Sequence, residues 1–488
     1  MIPVLLILVP LVCGVITFFI NTERSIKTWA LVSSLATLVV TLLGFSVLNA
    51  DDFLFAEADW MPMIGSSFSV GLDGMGKILS LLTAIAFPVI FITTWHQSYK
   101  KAHKFFGLML LSQAGLMGVF LAYDALLFYF FWELALIPAY FLCSHWGGER
   151  RIPVTFKFFI YTFVGSLFML VGIIYMYTKT PDQSYSLESF YKLNLSTNDQ
   201  MWLFWVMFVA FAVKMPIFPF HTWQPDTYEQ SPTAVTMVLS GIMVKMGVFG
   251  VIRWLVPIIP TGAWAWGDTV STLAIIGMIY ASLIAMVQDD LKRLIAYSSI
   301  AHIGLMCLAI FATDSMGMQG VMIQMFNHGI NIIGLWIVVE LIERQFKTRK
   351  MSELGGLAQK APALSALLVV VALANVALPL TNAFVGEFLM FAGVFNSNVS
   401  QYNEVFMISA GITIILSAVY TLNMLQKVLF GNTSQLTAKG RDISFNEKVT
   451  LAVLVLMILA IGVYPKPMLE LTQSTVDMIL SKMINKHP

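Results

Sequence analysis

Read along the chain, apolar residues come in runs of about twenty, separated by short polar loops. Fourteen such runs centre near residues 2–20, 28–48, 77–95, 105–122, 124–143, 155–177, 201–219, 232–257, 265–287, 293–312, 317–343, 362–395, 405–430 and 449–470. A helix needs about 20 apolar residues to cross the hydrocarbon core of a bilayer. The pattern predicts an all-α polytopic membrane protein of about fourteen spans. The first run lacks a positively charged leader and a small-residue cleavage site, so it is expected to be a retained helix.

The loops test this count. If spans alternate in direction, loops after odd-numbered spans share one side. They hold nineteen Lys and Arg, whereas the opposite side, with both termini, holds five: Lys179, Lys192, Lys466, Lys482 and Lys486. Basic residues collect on the cytoplasmic side of a membrane protein, so both termini are expected outside. The polar loop at 178–200 is then expected on the outer surface.

Composition agrees and narrows the choice. The 488 residues are 58% hydrophobic and 11% charged, with mean hydropathy +0.80. A soluble surface needs about 25% charged residues, so water-soluble enzymes, disordered chains and disulfide scaffolds are excluded. A net charge of +1 with no dense basic block argues against a nucleic-acid partner. Cys13, Cys143 and Cys307 lie far apart in apolar runs with no CxxC pair, which argues for packed thiols over metal or cluster ligands. No glycine fingerprint for a dinucleotide follows a strand pattern. No cofactor or metal is expected in this chain.

Six ionisable residues lie inside the apolar runs: Glu133, Lys214, Lys245, His302, His328 and Glu387. A charge at mid-bilayer costs about 2.5–3.5 kcal/mol on insertion scales. These groups must therefore face one another or water. A structural ion pair between helices is one reading. A proton path is the other, and the chemistry favours it: lysine carries donors only and is a poor metal-cation ligand, while histidine titrates near neutrality. Asp124 at the start of span five fits either a helix cap or a further member of the path. Asp73 and Asp314 read as caps or loop residues. Lys77 and Arg253 fall near span ends and are expected to snorkel to the interface.

Two spans carry helix breakers beside these groups. Lys214 sits in FAVKMPIFPFHTWQPD, where Pro216 and Pro219 each remove a backbone donor. ANVALPLTNAFVGEFLMF places Pro379, Asn382 and Gly386 ahead of Glu387. Broken helices at mid-membrane are where transporters place ion sites. One interruption in each half suggests duplicated five-helix units, with a weak echo between GLMGVFLAYD and GLMCLAIFATD. Gly241, Gly247 and Gly250 around Lys245 allow close helix approach, and Ser298 precedes His302 by one helical turn.

The stretch KMPIFPFHTWQPDTYEQSPTAVTMVLSGIMVKMGVFG resembles the signature of the antiporter-like subunits of proton-pumping NADH:quinone oxidoreductase, respiratory complex I. That family also includes subunits of multi-protein Na⁺/H⁺ antiporters and of membrane-bound hydrogenases. FWELALIPAYFL, DDLKRLIAYSSIAHIGLM and FNHG resemble it too, so that the likeness covers about residues 70–430. It implies fourteen helices and two inverted five-helix repeats, with helices 7 and 12 discontinuous. The implied divisions are 1–100 (helices 1–3), 101–258 (first repeat), 259–431 (second repeat) and 432–488 (helix 14).

Glu387 stands where relatives typically carry Lys, as in the M-type branch of the family, whose mitochondrial counterpart is subunit 4. The larger L-type relatives add a long lateral helix and further spans. By resemblance, Glu133 and Lys214 are the central ion pair, Lys245, His302 and His328 the connecting axis, and Glu387 the exit-side group. The resemblance also implies NADH, FMN, iron–sulfur clusters and quinone in other subunits, L- and N-type neighbours, and a bacterial inner membrane. The alternative is a subunit of a multi-protein Na⁺/H⁺ antiporter or a membrane-bound hydrogenase.

Overall fold

The computed structural model describes residues 1–46 and 53–484; the end of the second run (47–48) and Lys486 lie outside the described residues. Among the described residues, eleven helices are long and apolar enough to cross a membrane. They are spans two to six, eight to eleven, thirteen and fourteen. Span one is the shorter helix Ile2–Thr17. Spans seven and twelve are each broken in two, as Thr197–Lys214 with Trp223–Gln230, and Pro362–Asn375 with Asn382–Phe395. Large apolar side chains such as Phe156, Val171, Ile408 and Ile415 are exposed on their helices, as a lipid-facing surface requires. The protein is a multi-pass membrane protein of the expected span count.

Helix starts follow local chemistry. The first N–H groups of a helix have no partner within it. Asp124 accepts from Leu126 and Leu127, Asp290 from Lys292 and Arg293, and Asp314 from Met316 and Gly317. Ser444 and Glu447 close a capping box at the head of span fourteen.

The chain packs into two compact units. The first comprises Met1–Met215, Gln230–Asp268 and the chain from Leu469 on; the second comprises Pro216–Glu229 and Thr269–Met468. The same backbone device occurs inside each. In the first, Ala125 N–H donates to Tyr185 O at 2.8 Å and Leu187 N–H to Tyr123 O at 2.8 Å. In the second, Leu291 N–H donates to Arg349 O at 3.0 Å and Met351 N–H to Asp289 O at 2.8 Å. The residue inside each bridge is a capping aspartate, Asp124 or Asp290. Asp124 and Asp290 thus hold the same place in the two devices.

Two elements went unread in the sequence. Strands β1 (Leu54–Met61) and β2 (Ser66–Leu72) form an antiparallel hairpin turned at Gly65, φ 76°. Lys466–Ile484 is a helix after span fourteen, where span fourteen itself ends at Val463. Its buried residues Thr472, Thr475, Val476, Ile479, Leu480 and Met483 recur at helical spacing. The Gly74 N–H donates to Thr475 Oγ1 at 3.1 Å, and a side chain at Gly74 would strike Leu471 O. This helix therefore lies across the head of span three.

That cover corrects one expectation. Lys77 and Arg253 do not snorkel: they are 2% and 0% exposed. The ends of spans three and eight are capped by protein, so these cations are held inside. Arg253 Nη2 pairs with Asp73 Oδ2 at 2.5 Å.

Candidate functional site: a buried carboxylate, lysine and histidine series

Glu133, Lys214 and Lys245 belong to the first unit. The half-helix Thr197–Lys214 ends where Met215 N–H makes the last helical bond, to Phe211 O at 2.8 Å. Pro216 and Pro219 then supply no donors, and the Phe218–Pro219 bond is cis. Lys214 is 1% exposed. Its ammonium has no hydrogen-bond partner among the described residues, nor has the buried Oε1 of Glu133. The two charges attract each other through space, Ser166 also hydrogen-bonds Glu133, and the Trp132 ring centroid lies 5.6 Å from Lys214 Nζ. An ammonium and a carboxylate left in this state are sensitive to small changes in separation, because Coulomb energy is large where water is scarce.

Span eight explains Lys245. Its helix widens to a π turn over Leu239–Met243, and Val244 N–H reaches five residues back, to Leu239 O at 3.2 Å. An α-helical Val244 would bond Ser240 O instead. Lys245 Nζ takes that carbonyl at 2.9 Å. Such bulges are frequent at functional sites. Gly247 permits the neighbouring helix to close in: a Cβ there would lie 2.7 Å from Met215 N and Phe211 O. Spans seven and eight thus cross beside Lys214.

Most uncharged polar residues within the spans carry no signal in the sequence. Ser80, Ser112 and both amide atoms of Gln113 are buried in spans three and four without a hydrogen-bond partner among the described residues. Buried polar groups normally have partners, protein or water, so these mark the polar interior of the unit.

His302, His328 and Glu387 belong to the second unit, and the fold brings them together. His302 Nδ1 and Glu387 Oε1 are 3.0 Å apart. The His302 and His328 rings lie 5.7 Å apart, centroid to centroid. His328 Nε2 meets Ser299 Oγ at 3.2 Å. The break in span twelve frees carbonyls that lipid cannot satisfy. The asparagines flanking His328 supply donors: Asn331 Nδ2 to Ala374 O at 3.3 Å, and Asn327 Nδ2 to Asn382 O at 2.7 Å. Ala377 and Leu380 within the break adopt φ 55° and 73°, a conformation costly for residues with a Cβ. Asn375, Ser298 and Tyr420 complete the hydrogen-bonded cluster around His302. Only Ser298 was picked out in the sequence.

Asp124 acts here as a cap and anchor. It also accepts from Ser66 Oγ at 2.9 Å and Ser67 N at 3.1 Å, tying the β-hairpin to span five. Among the described residues, no group of three or more His, Cys, Asp and Glu is arranged to hold a metal ion.

Each unit thus holds, at or near the break of one span, groups that can each hold or pass a proton. Residues 122–417 match the family described as "NADH:quinone oxidoreductase/Mrp antiporter, TM". The chain belongs to that family. It is 35% identical to NADH-quinone oxidoreductase subunit M of Rickettsia prowazekii over 478 residues, 96% of each chain. It is also 35% identical to F(420)H(2) dehydrogenase subunit M of Methanosarcina mazei over 500 residues, 99% of each chain. Its fold matches a chain of respiratory complex I from Thermus thermophilus, with TM-score 0.91 and 27% identity, covering 99% of this chain and 100% of that one.

Proposed function

We propose that the chain is a membrane-arm subunit of a proton-translocating NADH:quinone oxidoreductase. It carries out no redox step itself. Quinone reduction elsewhere in the complex changes the Glu133–Lys214 separation, and Lys214 gains or loses its proton accordingly. The proton then passes by way of Lys245, His302 and His328 to Glu387, which releases it toward the outer side. The observation that supports this reading is the buried Lys214 ammonium at the break of span seven, without a hydrogen-bond partner among the described residues and within electrostatic reach of Glu133 on span five, in a chain of this family.

In the same reading the two five-helix repeats run over 101–258 and 259–431, between helices 1–3 (1–100) and helix 14 (432–488). The neighbours in the membrane arm are L- and N-type subunits. NADH, FMN, iron–sulfur clusters and quinone are bound by other subunits. The host membrane is a bacterial inner membrane, and the charge asymmetry of the loops supports both termini lying outside. A second reading differs only in the electron-input module. It is favoured by the equal identity to the F(420)H(2) dehydrogenase subunit.

Two measurements test this. Native membranes, gently solubilised and run on a native gel, should show the chain in the band that oxidises NADH. Its presence in a different redox band would favour the second reading. Glu133→Ala should then assemble yet lose most proton pumping and the coupled quinone reduction, with Glu133→Asp intermediate. An assembled Glu133→Ala complex with wild-type proton stoichiometry would refute the route.

A further inference from the structure

His302 is held from both sides of its ring. Nδ1 faces the Glu387 carboxylate at 3.0 Å. Nε2 faces the Asn375 amide nitrogen at 3.4 Å, and that same nitrogen donates to Ser298 Oγ at 3.1 Å. Tyr420 donates its hydroxyl proton to Ser298 Oγ at 2.9 Å. All four are buried: Asn375 is 4% exposed, Ser298 and Tyr420 1%, His302 7%. Asn375 is the last residue of the half-helix Pro362–Asn375, so this bond network is fastened to the break itself.

We propose that Asn375 is a positioning residue whose carboxamide sets which nitrogen of His302 carries the proton, with Ser298 and Tyr420 holding the carboxamide in the two orientations this requires. The proposal rests on the reading that His302 lies on the proton route. With the amide nitrogen donating into Nε2, that nitrogen must be the lone-pair side, so the ring proton sits on Nδ1 and points at Glu387. When a second proton reaches Nε2, two N–H groups oppose each other. A half-turn of the carboxamide resolves this. Oδ1 then accepts from Nε2–H, Ser298 turns its own hydroxyl proton onto Oδ1, and Tyr420 continues to donate to Ser298 Oγ. In each state the same four side chains bond to one another, and no proton is created or lost. The amide therefore follows the charge of His302.

The surroundings fit such a switch. A void of about 10 Å³ is lined by His302, Glu387, Ser417 and Tyr420, and a second of the same size by Ser298, Asn375 and Tyr420. That is about the room one water needs. The titratable groups facing His302 are Glu387 from span twelve, His328 from span eleven and Tyr420 from span thirteen. Span nine presents Met278.

The test uses the assembled complex in inverted native membrane vesicles, with NADH-driven quinone reduction and vesicle acidification followed between about pH 6 and 9. Asn375→Asp places an acceptor-only carboxylate beside Nε2 and favours doubly protonated His302. The alkaline limb of the profile should move up by about one unit. Asn375→Leu removes both donor and acceptor, and should lower coupled turnover by about tenfold, the scale lost when an orienting partner is removed, without the upward shift. Tyr420→Phe takes away the donor that frees Ser298's own proton, and should move the limb downward.

Assembled Asn375 variants whose pH profiles superimpose on the wild type would overturn the proposal. If neither assembles, an unshifted Tyr420→Phe profile overturns it equally. His302→Ala separates the two levels. Unchanged pumping there removes the underlying reading, and the inference with it. Lost pumping alongside unshifted Asn375 profiles defeats the inference alone.

Discussion

Arg253 Nη2 lies 2.5 Å from Asp73 Oδ2, with the arginine side chain fully buried and its guanidinium stacked 5.2 Å from the centroid of the Tyr123 ring. Arginine cannot shed its charge in a protein. Asp73→Asn would leave that charge unpaired, a loss of about 3–5 kcal/mol for a buried pair. The level of assembled complex and the thermal midpoint of the solubilised protein should both fall. Asp73→Asn combined with Arg253→Met should recover much of the loss. A single variant as stable as the double would contradict the pairing.

Gly393 and Gly317 make an unequal pair. A methyl group on Gly393 would run into the backbone of Gly317, while one on Gly317 meets nothing nearer than 3.4 Å. Gly393→Ala should cost about 1–3 kcal/mol, as overpacking does, and Gly317→Ala should be close to neutral. Thermal melting of the two variants decides it; equal effects would rule out this close approach of helices.

Asn331 and Asn327 staple the broken span through Ala374 O and Asn382 O. Replacing Asn331 by Leu removes one of two donors to Ala374 O, which keeps its bond from Ala377 N–H, at about 1 kcal/mol. Amide exchange across 376–381 should quicken selectively, with distant spans unchanged. Uniform exchange would argue that the break is held by packing alone.

Asp442, in the loop before span fourteen, gives a pH signature. Burial raises its pKa, but N–H donors from Ala363, Ile443 and Leu364, with Lys448 nearby, together hold it below the usual carboxylate value. A depressed carboxylate stabilises the fold above its unfolded pKa of about 3.9, and that stability is lost as pH falls through the lower folded value. The thermal midpoint should therefore decline on acidification from about pH 4 downward. Asp442→Asn should lack that component. An identical acid response in both proteins would exclude the role.

The span pattern, the two breaks and the six ionisable positions were legible because each has a strong one-dimensional signal: length, proline, or a charge in an apolar run. Glu387 and His302 could be marked as buried but not as partners, since 85 residues separate them and only packing makes them touch. Asn375 and Tyr420 carried no signal, because a single neutral polar residue in a span is ordinary. The hairpin at 54–72 alternates weakly and lies between spans where hydropathy is uninformative. Arg253 was misjudged for a physical reason: distance from a span end in sequence does not measure distance from water when side chains of other elements, here Asp73, Tyr123 and Tyr191, close around that end.

The two backbone bridges, one closing residues 123–187 and the other 289–351, make each half a closed ring secured by its own main chain. A polytopic chain enters the bilayer in order, from its first span onward. Spans five and six can be locked as a pair once the loop after them is free, before the second half has been made. The later half repeats the step with its own loop. Each ring needs only its own two spans and their loop to close, whereas the first unit as a whole also needs the helix that follows span fourteen.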